Sequence, residues 1–426
     1  MDEIIQYIVD FLAGSYSVFV AYGEEREESK VIILKDTKLY EAYGVMESMP
    51  EMPLKELDGI PVLYGENRVE YRHGRAYIYA DLVASSYFLL SGYEEMVNKK
   101  RDKWNRFRGE FSYAWKNGFL DRPVIDEYRI LLENILRNVG VEIPERRKEL
   151  QKVYLTHDLD HPWKQYTFMQ MIKAVGADII KRHDFSVLPL KNWFGFYQQD
   201  SFLEAIKYLQ IEDTRLLECF GERCECIYFV LANEHKQTLT ETYINDKKMR
   251  SLSKLFDGNR FIVGIHGSPE ASESICVLKR EKEKLENVLG KKVTKIRNHC
   301  LLSRKYSEEK LVDIGLLEEF GGGYADVAGF RYGTSRTFRY IDPEKIKLTD
   351  LLIHPMIIMD GTLDEARYMG LSYEQALGYV HNLINRIKDV NGELVILWHN
   401  HMCVADGSTY HRKLYRDVLE HIGECM

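Results

Sequence analysis

Apolar and polar positions follow two different rhythms along the chain. Over the first third, short apolar runs are scattered among polar stretches. Residues 4–12 (IIQYIVDFL) read as a short amphipathic helix, and 17–22, 30–34 and 59–65 read as strands. Residues 75–80 (RAYIYA) alternate as a half-buried strand does. Asp81 stands where a helix cap belongs, ahead of a helix to Val97 with Phe88, Leu89 and Tyr93 at helical spacing. A second helix is expected over 120–139, after Pro123.

From residue 153 onward, short apolar strands alternate with longer helical stretches. The strands expected are 153–158 (VYLTHD), 227–232 (IYFVLA), 261–266 (FIVGIH), 293–299 (VTKIRNH), 352–359 (LIHPMIIM) and 394–400 (LVILWHN). Helices are expected over 276–289, 307–315 and 372–390; the last opens on the capping box Ser372-x-x-Gln375 and stops at Gly392. This alternation predicts an α/β fold, a parallel sheet or barrel with helices outside. A Pro followed by a dense charge run, 143–152 (IPERRKELQK), marks a seam. The expected organisation is an N-terminal α/β domain over 1–148 and a larger unit over 149–426.

Composition narrows the picture. With 58 Lys+Arg against 66 Asp+Glu, the net charge of −8 argues against general nucleic-acid binding. Seven cysteines without a CxxC pair suggest reduced thiols rather than a disulfide scaffold. The acidic start Met1-Asp2-Glu3 lacks a leader pattern, and no apolar run approaches the roughly 20 residues of a membrane span. The expectation is a cytoplasmic protein. The 28 Tyr, 18 Phe and 5 Trp suit a sugar-like ligand, although most such rings serve packing.

The candidate chemistry lies at strand ends, which in a parallel barrel share one face. The first strand of the larger unit ends Thr156-His157-Asp158-Leu159-Asp160-His161-Pro162, the third His266-Gly267-Ser268, the fourth Arg297-Asn298-His299, and the last Trp398-His399-Asn400-His401. Asp158 and Asp160, two residues apart, can face one pocket; one can hold a divalent metal while the other takes a proton from water. The alternative is a turn, which Asp favours and Pro162 would end. His266 is a candidate metal ligand, and His399 a candidate general acid or a buried structural histidine. Arg297 can keep Asp158 ionised. Alternation turns His157 away from such a pocket.

The series THDLD, GIHGS, RNH and LWHN, in that order, resembles the polysaccharide deacetylase (NodB-homology) family. Segments 121–123, 329–334 and 359–363 fit a bacterial subgroup with an extra N-terminal α/β domain. The resemblance implies a distorted (β/α) barrel of about seven strands, a divalent metal, zinc first, and hydrolysis of an acetyl group on an N- or O-acetylated sugar. It implies Asp158 as general base, Arg297 as its orienting partner and His399 as general acid. Asp160 and His266 would be metal ligands.

One position departs from the family. Glu270 stands where a second histidine is usual, so Glu270, His299 or water must complete the metal site; His299 is preferred, because imidazole suits zinc. Arg331, with Asp326 on the glycine-rich stretch 321–333, and Trp398 are expected to line the substrate site. The function expected is deacetylation of a carbohydrate in cell-surface polysaccharide metabolism. The alternatives are an amidohydrolase acting on a small C–N compound, and a carbohydrate-binding protein whose metal site has decayed.

Overall fold

The computed structural model describes residues 1–160, 201–233, 250, 252–256, 260–404 and 410–426. His161 and Pro162, which close the first motif, lie outside the described residues.

The first part of the chain carries six strands: β1 Val20–Tyr22, β2 Val31–Ile33, β3 Lys55–Leu57, β4 Ile60–Val62, β5 Gly65–Arg72 and β6 Arg75–Ala80. Four of them form a sheet in the order β1-β2-β6-β5, and β3 and β4 pair as a separate hairpin. The helix Asp2–Ala13 buries Ile4, Ile8 and Leu12, one stripe at a spacing of four. Asp81 caps the helix Leu82–Leu90 by accepting from the Ala84 amide at 2.8 Å. Every residue of that helix is buried, as its apolar sequence on all faces requires.

Two expectations here need correction. The strand over 17–22 shortens to β1 because Gly14–Phe19 winds into a 3-10 turn. The helix over 81–97 divides at Gly92, whose φ of 62° is left-handed, and resumes over Tyr93–Val97.

The described residues of the second part form a nine-stranded sheet. Its strands are β7 Lys152–Leu159, β8 Cys224–Leu231, β9 Phe261–Gly267, β10 Lys295–Asn298, β11 Glu318–Glu319, β12 Phe338–Asp342, β13 Lys347–Ile353, β14 Met356–Met359 and β15 Glu393–Leu397. Their order is β12-β13-β11-β10-β9-β8-β7-β15-β14. Every pairing is parallel except that of β12 with β13.

Nine strands replace the seven expected, for two reasons. β12 is the first arm of a hairpin with β13. The strand expected over 352–359 is broken at His354-Pro355, because proline offers no N–H to a ladder and restricts the residue before it. Only those two residues separate β13, near one end of the hydrogen-bonded order, from β14 at the other. The sheet must therefore curl until its ends approach, giving a barrel-like α/β fold.

Helices cover the outside. Tyr373–Asp389 begins with both bonds of the Ser372/Gln375 capping box, as its sequence predicts. Tyr154, Ile227, Phe229, Phe320, Met356, Val395 and Leu397 form a separate apolar cluster, drawn largely from β7, β8, β14 and β15. Gly264 of β9 is required beside it. A Cβ there would lie 2.5 Å from the Phe229 ring, well inside van der Waals contact.

Candidate metal centre and catalytic cluster

Alternation along β7 sends Thr156 and Asp158 to one side and His157 to the other. Arg297 of β10 reaches both residues on the first side. Its Nη1 donates to Asp158 Oδ1 at 2.8 Å, its Nη2 to Thr156 Oγ1 at 2.8 Å, and its Nε to the Phe320 carbonyl at 3.1 Å. The guanidinium is fully buried and lies over the Phe229 ring, 4.6 Å from its centroid. A guanidinium bonded through each of its three nitrogens in this way gives Asp158 a fixed direction.

Asp160, His266 and His299 meet beside that pair. Asp160 Oδ1 lies 3.1 Å from His266 Nε2 and 3.1 Å from His299 Nδ1, and the two ring nitrogens are 3.3 Å apart. The Nδ1 of His266 faces the Arg297 carbonyl at 2.9 Å, which can only accept, so Nδ1 carries a proton and Nε2 is the atom turned to the cluster. One oxygen and two imidazole nitrogens, all within 4.8 Å of one another, form a donor set suited to a divalent ion such as zinc. Burial opposes charge on Asp160, but His299 and His266 outweigh it and hold the carboxyl well below its ordinary range. Burial likewise lowers the His299 pKa, and the Asp160 charge overrides it and raises it well above the ordinary value. A metal at His299 Nδ1 would displace that proton.

The chain makes an unusual turn to bring His299 here. Cys300 and Leu301 follow it with φ of 55° and 53°, two left-handed residues in succession and neither of them glycine. Arg106, from the first part of the chain, donates to the Cys300 carbonyl at 3.0 Å and to the Tyr368 hydroxyl at 3.2 Å. Glu270, the alternative third ligand, is exposed on the short helix Pro269–Glu273 and stands outside the cluster.

His399 faces the cluster from the end of β15. Its Nε2 lies 3.8 Å from Asp160 Oδ2 and 4.0 Å from Asp158 Oδ2, near both carboxyl groups but beyond direct hydrogen-bond distance. Its Nδ1 bonds Asp360 Oδ1 at 2.6 Å, while its backbone N–H donates to Asp360 Oδ2 at 2.7 Å. Burial drives the His399 pKa down, but Asp360 more than offsets it and raises the value to about 10. Asp360 itself, disfavoured as an anion by burial, is held below its usual range by His399.

Asp360 is the residue that sequence reasoning passed over. It lies in one of the segments carrying the family resemblance, directly after the apolar run of β14, the same strand-end position that drew attention to Asp158 and His399.

The two residues expected to bind substrate are not part of the cluster. Trp398 is fully buried and turned to the outer helices, its ring 5.1 Å from that of Tyr415, so it offers no face to a ligand. Alternation explains this direction, since His399, its neighbour, takes the inward one. Arg331 forms a bidentate pair with Glu95 at 2.9 Å for each bond and lines a cavity of about 500 Å³. Asp326 accepts from the Gly109 amide at 2.9 Å, tying the glycine-rich stretch to the first part of the chain.

Residues 3–140 match a family model described as a family of unknown function, DUF7033. No curated protein matches the chain. Among solved structures, the chain is similar to a protein from Mycobacterium smegmatis described as a candidate polysaccharide deacetylase. The TM-score is 0.38 at 14% identity, over 67% of this chain and 86% of that one. A protein from Bordetella bronchiseptica, described as a candidate polysaccharide deacetylase involved in O-antigen biosynthesis, gives 0.27 at 13% identity, over 65% and 85%. Sph3 of Aspergillus clavatus, in complex with GalNAc, gives 0.28 at 10% identity, over 64% and 100%. Among the described residues, no helix is long and apolar enough to cross a membrane.

Proposed function

We propose that the protein is a metal-dependent hydrolase that removes an acetyl group from an N- or O-acetylated sugar. The observation carrying this reading is the convergence of Asp158, Arg297, His399 and the Asp160/His266/His299 donor set at neighbouring strand ends. A base, an acid and a metal-ligand triad within hydrogen-bond or near-contact range are the components of metal-assisted acyl hydrolysis. We also propose that residues 1–148 and 149–426 are the two units of the chain, with catalysis in the second.

Asp160, His266 and His299 would hold the ion, which supplies Lewis-acid polarisation of an acyl carbonyl and of water. Asp158, fixed by Arg297, takes the proton of the attacking water. His399, charged through Asp360, donates a proton to the departing amine or alkoxide. The same groups would serve an amide in a small C–N compound, so the substrate panel decides between the two.

The test is elemental analysis followed by acetate release. Purified protein should carry about one zinc or similar ion per chain, lost in His266→Ala. It should release acetate from at least one member of a panel of N- and O-acetylated sugars. Asp158→Asn should retain the ion and lose about 100-fold or more of kcat. A metal-free protein that binds acetylated sugars without cleaving them would replace the hydrolase with a binding protein.

A further inference from the structure

We propose that His157 and Asp213 form a charge pair that positions the two proton-moving groups, Asp158 and His399, from behind the barrel wall. The proposal rests on the function proposed above. It begins from a cluster that this chemistry does not use. His157, Asp213, Cys226, Tyr228 and Tyr415 are all fully buried on the helix side of the sheet. Asp213, on the helix Ser201–Phe220, is their centre. Its Oδ2 meets His157 Nε2 at 3.0 Å, the Tyr228 hydroxyl at 3.1 Å and the Cys226 thiol at 3.2 Å, and its Oδ1 accepts from the Tyr415 hydroxyl.

The other face of the His157 ring fixes the protons. Nδ1 lies 2.8 Å from the Trp398 carbonyl oxygen, which can only accept, so Nδ1 is protonated. One proton remains between Nε2 and Asp213 Oδ2. Three other donors already point at that carboxyl group, and hydrogen bonds to the charged form favour it. The proton therefore belongs to the ring, and the pair is an imidazolium and a carboxylate with both ring N–H groups in use. Ligand atoms of His157, Asp213 and Cys226 also lie within 4.8 Å of one another, the spacing of a metal site. Burial and then the Asp213 charge push the Cys226 thiol well up, and the ion count per chain decides for or against a metal there.

The position of the pair gives it a role. The registered ladder between β7 and β15 ends at Thr156 and Leu397, followed by one bond from the Trp398 amide to the Thr156 carbonyl at 2.9 Å. Past that point the strands part, and the His157 ring spans the gap to the Trp398 carbonyl. His157 directly precedes Asp158, and Trp398 directly precedes His399. The charged ring thus holds together the two backbone points from which base and acid project. Near-attack geometry is sensitive to shifts of about 1 Å, so loosening this tie should act on turnover.

The experiment uses the full chain, metal-loaded, with the acetylated sugar that the wild-type protein cleaves. Asp213→Asn should lower kcat by about ten-fold or more, with KM and one ion per chain unchanged. Tyr415→Phe, which removes one donor and no charge, should lower kcat a few-fold. In the wild-type protein both His157 ring nitrogens should show the ¹⁵N shifts of protonated nitrogens. If Asp213→Asn does not fold, Tyr415→Phe and the nitrogen shifts decide. Unchanged kcat, a loss of metal in parallel with kcat, or one unprotonated His157 nitrogen would overturn the proposal. So would a second ion per chain that Cys226→Ser releases. A wild-type protein that cleaves no acetylated sugar would instead sink the proposed function and the positioning role with it, while the nitrogen shifts still judge the charge pair.

Discussion

At the scale of single residues, His399 carries the most testable consequence. Burial alone would make it a poor acid donor at neutral pH, because a buried imidazole loses its charge. Asp360 reverses this and raises the pKa to about 10. The sign follows directly. The folded-state value lies above the ordinary 6.5, so the stability contributed by the charged ring is complete below pH 6.5 and disappears as pH rises through about 10. Activity that needs the protonated ring should follow the same limb. Asp360→Asn removes the opposing charge and lets burial dominate, so the alkaline limb of kcat/KM should move down toward or below the ordinary histidine range. At pH 8 the variant should lose about ten-fold more activity than at pH 6, measured as a pH profile of acetate release. A limb that does not move would remove His399 as the acid or Asp360 as its partner. Most of this cluster was legible because strand-end position and residue type coincide at Asp158, Asp160, His266, Arg297, His299 and His399. Asp360 was not, because a lone Asp after an apolar run is equally a helix start, and the structure does place it at the first turn of Asp360–Asp364. Trp398 is buried for a simpler reason: the neighbour of an inward-facing His399 must face the other way.

At the scale of elements, packing beneath the sheet reaches the site through Phe229. This ring supports the Arg297 guanidinium on one side and abuts Gly264 of the neighbouring strand on the other. Gly264→Ala places a methyl group where the ring now lies, and overpacking of this kind costs roughly 1–3 kcal/mol. The variant should show that loss in urea unfolding with an unchanged slope. Because the displaced ring carries Arg297, kcat should also fall. A stability loss with full activity would mean the ring yields away from the guanidinium. The elements themselves were legible where a period was long or a cap was explicit, as in Tyr373–Asp389 with its capping box. They were misread where a single residue interrupts the pattern. Gly92 splits one apolar helix by its left-handed φ, and Pro355 splits one apolar run into two strands at opposite ends of the sheet order.

At the scale of the whole molecule, the two parts of the chain are joined by charged groups rather than by one apolar seam alone. Asp126, fully buried on the helix Val124–Asn138, accepts from the Thr334 hydroxyl at 2.9 Å, the Ser335 amide at 2.8 Å and Arg336 Nε at 2.7 Å. Glu95 pairs with Arg331 in the same direction across the join. Periodicity could not reveal these links, because they connect residues more than 200 positions apart. Arg106 is the member of this set that bears on chemistry. It is anchored by Asp102 at 2.8 Å and closes on the carbonyl of Cys300, the first of the two left-handed residues behind His299. A backbone held in that region costs of order 1–3 kcal/mol per residue, and it persists only where its surroundings over-determine it. Arg106 is thus an outer support of His299, a proposed metal ligand, supplied by a part of the chain that contributes none of the proposed ligands. Loss of such supports weakens metal binding by about 10–100-fold. Arg106→Ala should therefore lower zinc affinity in a competition titration with a chelator, and excess zinc should restore most of the activity. Lys103→Ala, an exposed change three residues earlier in the same segment, should leave the affinity as it is. Equal affinity in Arg106→Ala would show that the His299 turn holds itself, and the first part of the chain would then have no part in building the metal centre.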